Sequence, residues 1–280
     1  MANTKITNPE LFNLGDSTSA TQLPVMTTTE RIAMTGLSVG EMIFNSTTDK
    51  VEYFDGTKWY GITYEASLPA NLKMYLNAGD ANSYNGTGTT WSDLTSNANN
   101  GALVNMTSAN WNSGGYFDFN NSYVQLPNIL TFGSSSYTIS IWVNFDSLGL
   151  QQEIISSYNS SGNGFLIDHT GSDNIRYYNT GGTNLSIGSG NNTAIVGTWQ
   201  LWTVTMDRSS ATNVAKIYLD SVVKSSASGT SLGSTNGDNP QIGSYPDGNL
   251  YLDGKVSKAR IYDTALTQSE IQALVTEGPV

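Results

Sequence analysis

The sequence consists largely of short apolar segments in which hydrophobic and polar residues alternate, and turn-forming residues separate these segments. The clearest example is TISIWVNF, which places Ile139, Ile141, Val143 and Phe145 on one face. A period of two indicates a β-strand, because the side chains of an α-helix repeat every 3.6 residues. Charged residues make up only 12% of the chain, and glycine occurs 28 times. These features predict an all-β fold of two antiparallel sheets packed face to face.

The chain divides into three predicted segments. Residues 1–27 are polar and lack a sustained period, so they are expected to form an extended arm. Residues 28–65 predict a short helix and a small β-meander, with a tight turn at Asp55-Gly56. Residues 66–280 predict the sandwich. A meander of this size buries little apolar surface, so it must pack against the rest of the chain, a second copy or another protein.

Local signals place two helices and one irregularity. In TTTERIAMTGL, a threonine N-cap with Glu30 in the first turn predicts a helix of about two turns. Thr267 and Glu270 predict a capping box for a closing helix, TQSEIQALVTEG. In GKVSKARIYD the apolar residues change phase, which predicts a β-bulge near Ser257 and Lys258.

Charge and composition argue against several classes of partner. The formal net charge is −11, and the 12 basic residues form no run or stripe. Nucleic-acid binding and an anionic membrane surface are therefore not expected, because both require clustered cations. There is no cysteine, no apolar span of about 18 residues and no secretory signal in MANTKITNPELFNLGDS. Folding in a cytoplasm is expected, without membrane insertion.

Several ordered blocks resemble a known domain. They are LKMYLNAGDANSYNGTGTTWSDLTSNANNGALVN, GGYFDFNNSYVQLP, YTISIWVNF and LYLDGKVSKARIYDTALTQSEI, within residues 70–277. Together they resemble the concanavalin A-like, laminin G-like domain, in the version common in bacterial and phage surface proteins. The resemblance implies a jelly-roll sandwich, a fold that lectins, glycanases and structural modules share.

The N-terminal segment LPVMTTTERIAMTGLSVGEMIFNSTTDKVEYFDGTKWYGIT resembles a short module of tailed-phage virion proteins, especially tail fibres. The two resemblances imply a non-enzymatic virion structural protein, either a capsid decoration or a tail-fibre-type appendage, assembled in the host cytoplasm. Its partners would be other virion proteins and its own copies, in a homotrimer as in the fibres it resembles. Attachment and oligomerisation are predicted for Met42, Phe44, Tyr53 and Trp59, which would be buried against sister copies.

Catalysis is not predicted. Glycanases of this fold, as the resemblance implies, use two Glu residues on one strand around an Asp, because one carboxyl donates a proton while its partner attacks. Glu153 is the only Glu of the sandwich segment before its final helix. His169, in FLIDHTGSD, is expected to be an ordinary surface histidine. The alternatives to a structural role are a carbohydrate-binding adhesin and, disfavoured by the missing carboxylate pair, a glycan-cleaving enzyme.

One polar loop, WSDLTSNANNG, is a candidate calcium site through Asp93, Asn97 and Asn99. Oxygen ligands of this kind suit calcium, and relatives of the fold frequently bind calcium near such loops. The alternative is that these side chains stabilise turns through their own backbone contacts. Where relatives often carry an acidic pair in the penultimate strand, this chain has Ser257 and Lys258.

Host-surface glycans are possible ligands of the sandwich. Sugar binding requires aromatic rings that stack on the apolar face of a sugar beside amides that bond its hydroxyls. The candidate residues are Tyr177, Tyr178, Trp111 and Tyr245. The alternative is that some of them cover the edges of the core. Because Tyr177 and Tyr178 are adjacent on a predicted strand, one of the two is expected to be buried.

Overall fold

A computed structural model describes residues 23–48, 50–62, 68–129, 133, 135–159, 161–180, 185–190, 193–230, 237–246 and 248–280. The chain forms two compact units, one up to residue 67 and one from residue 68 onward. Most of the predicted arm, up to residue 22, lies outside the described residues. Within the described residues, no helix combines the length and the apolar character needed to cross a membrane.

The N-terminal unit contains a four-stranded sheet and a short helix. Its elements are β1 (Val25–Met26), α1 (Thr28–Ile32), β2 (Met42–Asn45), β3 (Lys50–Phe54) and β4 (Trp59–Ile62). The strands lie in the order β1-β2-β3-β4, with β1 parallel to β2 and the other pairs antiparallel. The α1 helix begins at a capping box, in which Thr27 accepts from the Glu30 N–H while the Glu30 carboxylate accepts from the Thr27 N–H.

Polar groups fill much of the interior of this unit. Among its described residues, Ile43 is the buried hydrophobic side chain, and Asn45 and Glu52 are buried beside it on the face that α1 covers. Glu52 accepts hydrogen bonds from Arg31, Asn45 and Thr48. Burial alone would raise the pKa of Glu52, but the bonds from Asn45 and Arg31 and the charge of Arg31 together lower it. The small unit therefore depends on an ion pair and its hydrogen bonds as well as on apolar burial.

The C-terminal unit is a sandwich of two antiparallel sheets. Its elements are β5 (Leu72–Asn77), β6 (Thr90–Trp91), β7 (Gly101–Val104), a 3₁₀ turn (Ser108–Asn110), β8 (Trp111–Asn112), β9 (Tyr116–Phe119), β10 (Tyr123–Gln125), β11 (Tyr137–Phe145), β12 (Gln151–Ser156), β13 (Phe165–Thr170), β14 (Ile175–Asn179), β15 (Leu185–Gly188), β16 (Gln200–Asp207), β17 (Asn213–Leu219), β18 (Val222–Gly229), β19 (Gln241–Ile242), β20 (Gly254–Tyr262) and α2 (Gln268–Glu277). The front sheet has the order β15-β14-β13-β12-β19-β10-β7-β6. The back sheet has the order β18-β17-β16-β11-β20-β9-β8, and β5 also pairs with β20. The predicted jelly-roll sandwich with a short C-terminal helix is confirmed.

The central strand β11 is buried on both faces. Its apolar face, which includes Ile139 and Ile141, lies in the core between the sheets, as the alternation predicts. The opposite face, with Trp142, belongs to a second cluster under α2, where Ile271 is fully buried. The helix begins at the predicted Thr267 capping box. It therefore adds a third layer to the back sheet.

The predicted β-bulge is also confirmed. Ile141 of β11 pairs with Ala259, whereas Val143 pairs with Val256. Residues 257–258 of β20 therefore lie opposite a single residue of β11.

Candidate functional site

A row of mostly polar and aromatic residues, interrupted by one leucine, crosses the outer face of the front sheet. Cross-strand pairing aligns Gln125, Gln241, Ser156, Leu166 and Tyr178 in neighbouring strands. Side chains alternate between the two faces of a strand, and the apolar neighbours of these residues lie in the core. The row therefore faces away from the core.

Three tyrosine rings meet at the end of this row. Tyr158 follows β12, Tyr178 belongs to β14 and Tyr245 follows β19. The ring centroids of Tyr158 and Tyr178 are 5.6 Å apart, and those of Tyr158 and Tyr245 are 5.8 Å apart. All three side chains are half-buried. We call this group the tyrosine patch; it offers ring surface to solvent, and its members are positioned by three different strands.

An open polar cleft adjoins the tyrosine patch. The cleft has a volume of about 450 Å³ and is lined by Gln125, Gly237, Asp238, Asn239, Gln241 and Pro246. Pro246 directly follows Tyr245 of the patch. On the other side, Asn159, next to Tyr158, donates a hydrogen bond of 3.1 Å to Asp238. The cleft and the patch therefore form one continuous surface.

Hydrogen bonds orient the amides of the cleft. The Gln125 amide donates to the carbonyls of Asn239 and Pro240, both at 3.1 Å, and Gln241 donates to the Gln125 oxygen at 2.9 Å. A ligand would meet amides that are already held in place, which lowers the entropic cost of binding.

Two carboxyl groups and an arginine lie beside the patch on the same face of the sheet. Arg176 donates to both oxygens of Asp168, at 3.0 and 2.6 Å, and its guanidinium carbon is 5.9 Å from the Tyr178 ring centroid. Glu153 pairs across the strands with Asp168, and both are 0% exposed. In this arrangement neither carboxyl reaches a ligand in the cleft. Sequence reasoning missed this pair because only the strand register brings the two residues together.

Glu153 is an unusual buried acid. Neither of its carboxyl oxygens has a hydrogen-bond partner. Burial raises the pKa of Glu153 well above the usual range, and the neighbouring Asp168 charge raises it further. These effects outweigh the nearby charge of Arg176, so folding favours the protonated form of Glu153.

The structure separates the four predicted sugar-binding residues. Tyr178 and Tyr245 belong to the tyrosine patch. Tyr177 points to the other face, as expected for one of two adjacent residues, and is 0% exposed. Its hydroxyl bonds to Tyr137 and accepts from Asn179. A sugar cannot stack on a buried ring, so Tyr177 is removed from the candidate site, while sequence reasoning missed Tyr158.

Trp111 lies in the other sheet, at its β8 edge. The indole is half-buried, and its N–H donates to the Ala78 carbonyl at 2.9 Å. Its ring packs against Tyr84 and the core cluster. This arrangement matches the alternative interpretation, in which Trp111 covers an edge of the core.

The expectation that His169 is a surface residue is wrong. The side chain is 0% exposed, because β13 turns it toward the core, where its ring packs on Phe145. One ring nitrogen lies 2.9 Å from the Leu150 carbonyl, and the other lies 3.3 Å from Asp173. The histidine thus links the residue that precedes β12 to the turn between β13 and β14.

The predicted calcium loop is held together by its own hydrogen bonds. The two oxygens of Asp93 accept four bonds of 2.7–2.9 Å from neighbouring backbone and hydroxyl groups. The side-chain amides of Asn97 and Asn99 donate to the Lys73 carbonyl. Across the described residues, no cluster of three His, Cys, Asp or Glu could hold a metal. These are the backbone contacts of the turn-stabilising alternative, and calcium binding at this loop stays a prediction.

The predicted attachment residues fall on two faces of the N-terminal sheet. Met42 pairs with Tyr53, and Phe44 follows Met42 by two residues, so these three share a face. Trp59 instead pairs with Phe54, which points to the opposite face. Three of the four predicted residues are therefore brought together, and Trp59 is not.

The outer face of that sheet carries a continuous apolar surface. We call Val25, Met42, Phe44, Tyr53 and Tyr60 the apolar face; cross-strand pairing places all five on the side opposite α1. Val25 is 67% exposed, and the Tyr53 and Tyr60 rings stack at 5.6 Å.

The two packed antiparallel sheets define a jelly-roll β-sandwich. The family described as the concanavalin A-like lectin/glucanases superfamily, of laminin G type, matches residues 118–272. The match covers more than half of the chain, so the protein belongs to this family. A comparison with curated proteins found no match.

Solved structures share the fold at low sequence identity. The receptor binding domain of botulinum neurotoxin C/D mosaic serotype has a TM-score of 0.55 and 15% identity, over 74% of this chain and 51% of that chain. The binding domain of Paraclostridial Mosquitocidal Protein 1 has a TM-score of 0.50 and 17% identity, over 74% of this chain and 52% of that chain. Trypanosoma rangeli sialidase has a TM-score of 0.55 and 16% identity, over 75% of this chain and 33% of that chain. The chain thus spans about half of each binding domain, and these likenesses show the fold alone.

Proposed function

We propose that the protein is a non-enzymatic carbohydrate-binding protein, whose sandwich contacts glycans through the tyrosine patch and the polar cleft. The observation that carries the proposal is the continuity of three half-buried tyrosine rings with a cleft lined by oriented amides and a carboxylate. Two of the structures with this fold are named as binding domains, which supports the same interpretation.

The chemistry of the surface suits a sugar. A pyranose ring has an apolar face that packs on an aromatic ring and hydroxyls that exchange hydrogen bonds with amides and carboxylates. The patch supplies the rings, and Gln125, Gln241 and Asp238 supply the polar groups. Catalysis would instead need an accessible acid and base. The Glu153 and Asp168 carboxyl groups beside the patch are both buried, which supports binding without cleavage.

Replacing Tyr178 or Tyr245 by alanine is expected to weaken glycan binding about fivefold, because each change removes a stacking surface worth about 1 kcal/mol. The measurement is a glycan array with the full chain, followed by titration of the strongest ligand. Tyr116→Ala is the matched control, since this half-buried tyrosine packs on Trp199 in the back sheet. Equal binding by the patch variants and the wild type would contradict the assignment of this surface. Release of reducing ends from a bound glycan would contradict the non-enzymatic role.

We further propose that the protein is a virion component of a tailed phage, a capsid decoration or a tail-fibre-type appendage, in which the N-terminal unit attaches and forms a homotrimer. The resemblance of residues 23–63 to a phage appendage module supports this role. The apolar face supports it independently. Met42, Phe44 and Tyr53 would be buried there against sister copies, which would supply apolar burial that the small unit lacks.

Phe44→Glu is expected to convert the proposed trimer into monomers, because a charge in the middle of a desolvated apolar interface is strongly unfavourable. Light scattering on the full chain at matched concentrations measures the oligomeric state of wild type and variant. Val39→Glu is the control, because Val39 is 75% exposed and lies outside the sheet. A wild-type monomer would contradict oligomerisation through this face.

A further inference from the structure

The charges around the tyrosine patch restrict which glycans can bind there. Arg176 is the basic residue whose guanidinium lies near a patch ring. Both oxygens of Asp168 hold it through two hydrogen bonds, and Asp168 is buried. The positive charge of Arg176 is therefore balanced within the protein before any ligand arrives.

The cleft itself contributes negative charge. Its described lining residues are amides, a glycine, a proline and the exposed carboxylate of Asp238. Asn159 donates to one oxygen of Asp238, which fixes this carboxylate at the edge of the cleft. A carboxylate accepts hydrogen bonds from sugar hydroxyls, but it repels a carboxylate, sulfate or phosphate on a ligand.

The sequence offers no other cation to the front sheet. Arg176 is the only Lys or Arg in residues 74–207, and residues 225–254 contain none. All strands of the front sheet, together with the segments that carry Tyr158, Asp238 and Tyr245, lie within these two ranges. Recognition of an anionic sugar ordinarily uses Arg or Lys, often in a bidentate pair.

We infer that the site selects uncharged glycans, whose hydroxyls donate to Asp238 and the cleft amides, over glycans that carry sialic acid, uronic acid or sulfate. This inference rests on the proposed function and names the ligand class of that surface. Binding should accordingly depend weakly on salt, because no ion pair forms with the ligand.

The test uses the full chain on an array of matched glycan pairs, in which each neutral core is also present with an added carboxylate or sulfate. We expect at least tenfold tighter binding to the neutral member of each bound pair. Asp238→Asn should reduce this preference several-fold by removing the repulsive charge. Asp263→Asn is the control with the same change in net charge, since this exposed aspartate follows β20 in the back sheet.

The outcomes separate the two proposals. Preference for the acidic members would overturn the inference and leave carbohydrate binding intact. An unchanged preference in the Asp238 variant would also overturn it, because discrimination would then not arise from this charge. Binding to neither member of any pair would overturn the proposed function, and the ligand class with it.

Discussion

Glu277→Ala is expected to lower the free energy of unfolding of the sandwich by about 2–4 kcal/mol. The change leaves two buried cations without their shared anion, and breaking a buried ion pair from one side typically costs about 3–5 kcal/mol. The lower range allows for solvent, because the Glu277 side chain is 40% exposed, whereas those of Lys258 and Arg260 are 6% and 5% exposed.

The geometry explains why one carboxylate has so large an effect. Arg260 donates to both oxygens of Glu277, at 2.5 and 2.6 Å, and Lys258 donates to one of them at 3.0 Å. The Tyr75 hydroxyl adds a bond of 3.0 Å, and its ring lies 3.9 Å from the Arg260 guanidinium carbon. Glu277 is the last residue of α2, so this cluster attaches the helix to β20 and β5.

Chemical denaturation at several pH values measures the effect. Burial acts to raise the pKa of Glu277, but the charge of Arg260 and the bonds from Arg260 and Lys258 outweigh it and lower the pKa. A lowered folded pKa stabilises the protein above the unfolded value of 4.5, and this contribution is lost as the pH falls through the folded pKa. Glu277→Gln should not show this loss of stability at low pH. Thr276→Ala, at an exposed neighbour, should change stability by less than about 0.5 kcal/mol. A wild-type-like stability of Glu277→Ala would contradict the stabilising role of the Glu277 ion pairs.

Features encoded within a few neighbouring residues could be predicted from the sequence. The alternation in β11 identified its core face, and the phase change in β20 identified the bulge at residues 257–258. The Thr267 capping box likewise depends on contacts three residues apart. Such signals can be read because a strand or a helix turn fixes the geometry locally.

Features that need tertiary packing could not be read in this way. Alternation suggests a strand with one exposed face, yet α2 covers the face of Trp142. His169 reads as a turn residue but is buried, because β13 turns it toward the core. Tyr158 stands in an unremarkable polar segment, and only the packing of the ends of three strands brings it beside Tyr178 and Tyr245.

The pairing of Glu153 with Asp168 also depends on tertiary structure, and it leads to a second prediction about stability. Glu153→Gln is expected to stabilise the protein at neutral and alkaline pH. The folded protein keeps this carboxyl protonated to a higher pH than the unfolded chain, which releases the proton above the ordinary Glu pKa of 4.5. Glutamine has a similar volume and stays neutral in both states. The variant therefore avoids the free energy that the wild type spends on retaining a proton.

The direction of this stability change follows from the number of protons that the folded and unfolded states bind. Between pH 4.5 and the raised pKa of folded Glu153, the native state holds one more proton than the unfolded state. Stability then falls as the pH rises, by about 1.4 kcal/mol per pH unit from this group. The variant lacks this slope, so its advantage should be small below pH 4.5 and should grow above it, by at most about 1.4 kcal/mol per pH unit, until Glu153 ionises. This is the reverse of the behaviour of Glu277, whose pKa is lowered.

Denaturation of wild type and variant across pH 4–9 distinguishes this account from ordinary packing effects. Asp168→Asn is the matched control on the neighbouring strand, and it should destabilise the protein because Arg176 loses its bidentate partner. Glu153→Gln removes no such pair, since neither oxygen of Glu153 is hydrogen-bonded. Parallel stability curves for wild type and Glu153→Gln would mean that Glu153 is ionised in the folded protein. A buried Glu153 anion would then lie next to the charge of Asp168, which burial makes strongly unfavourable.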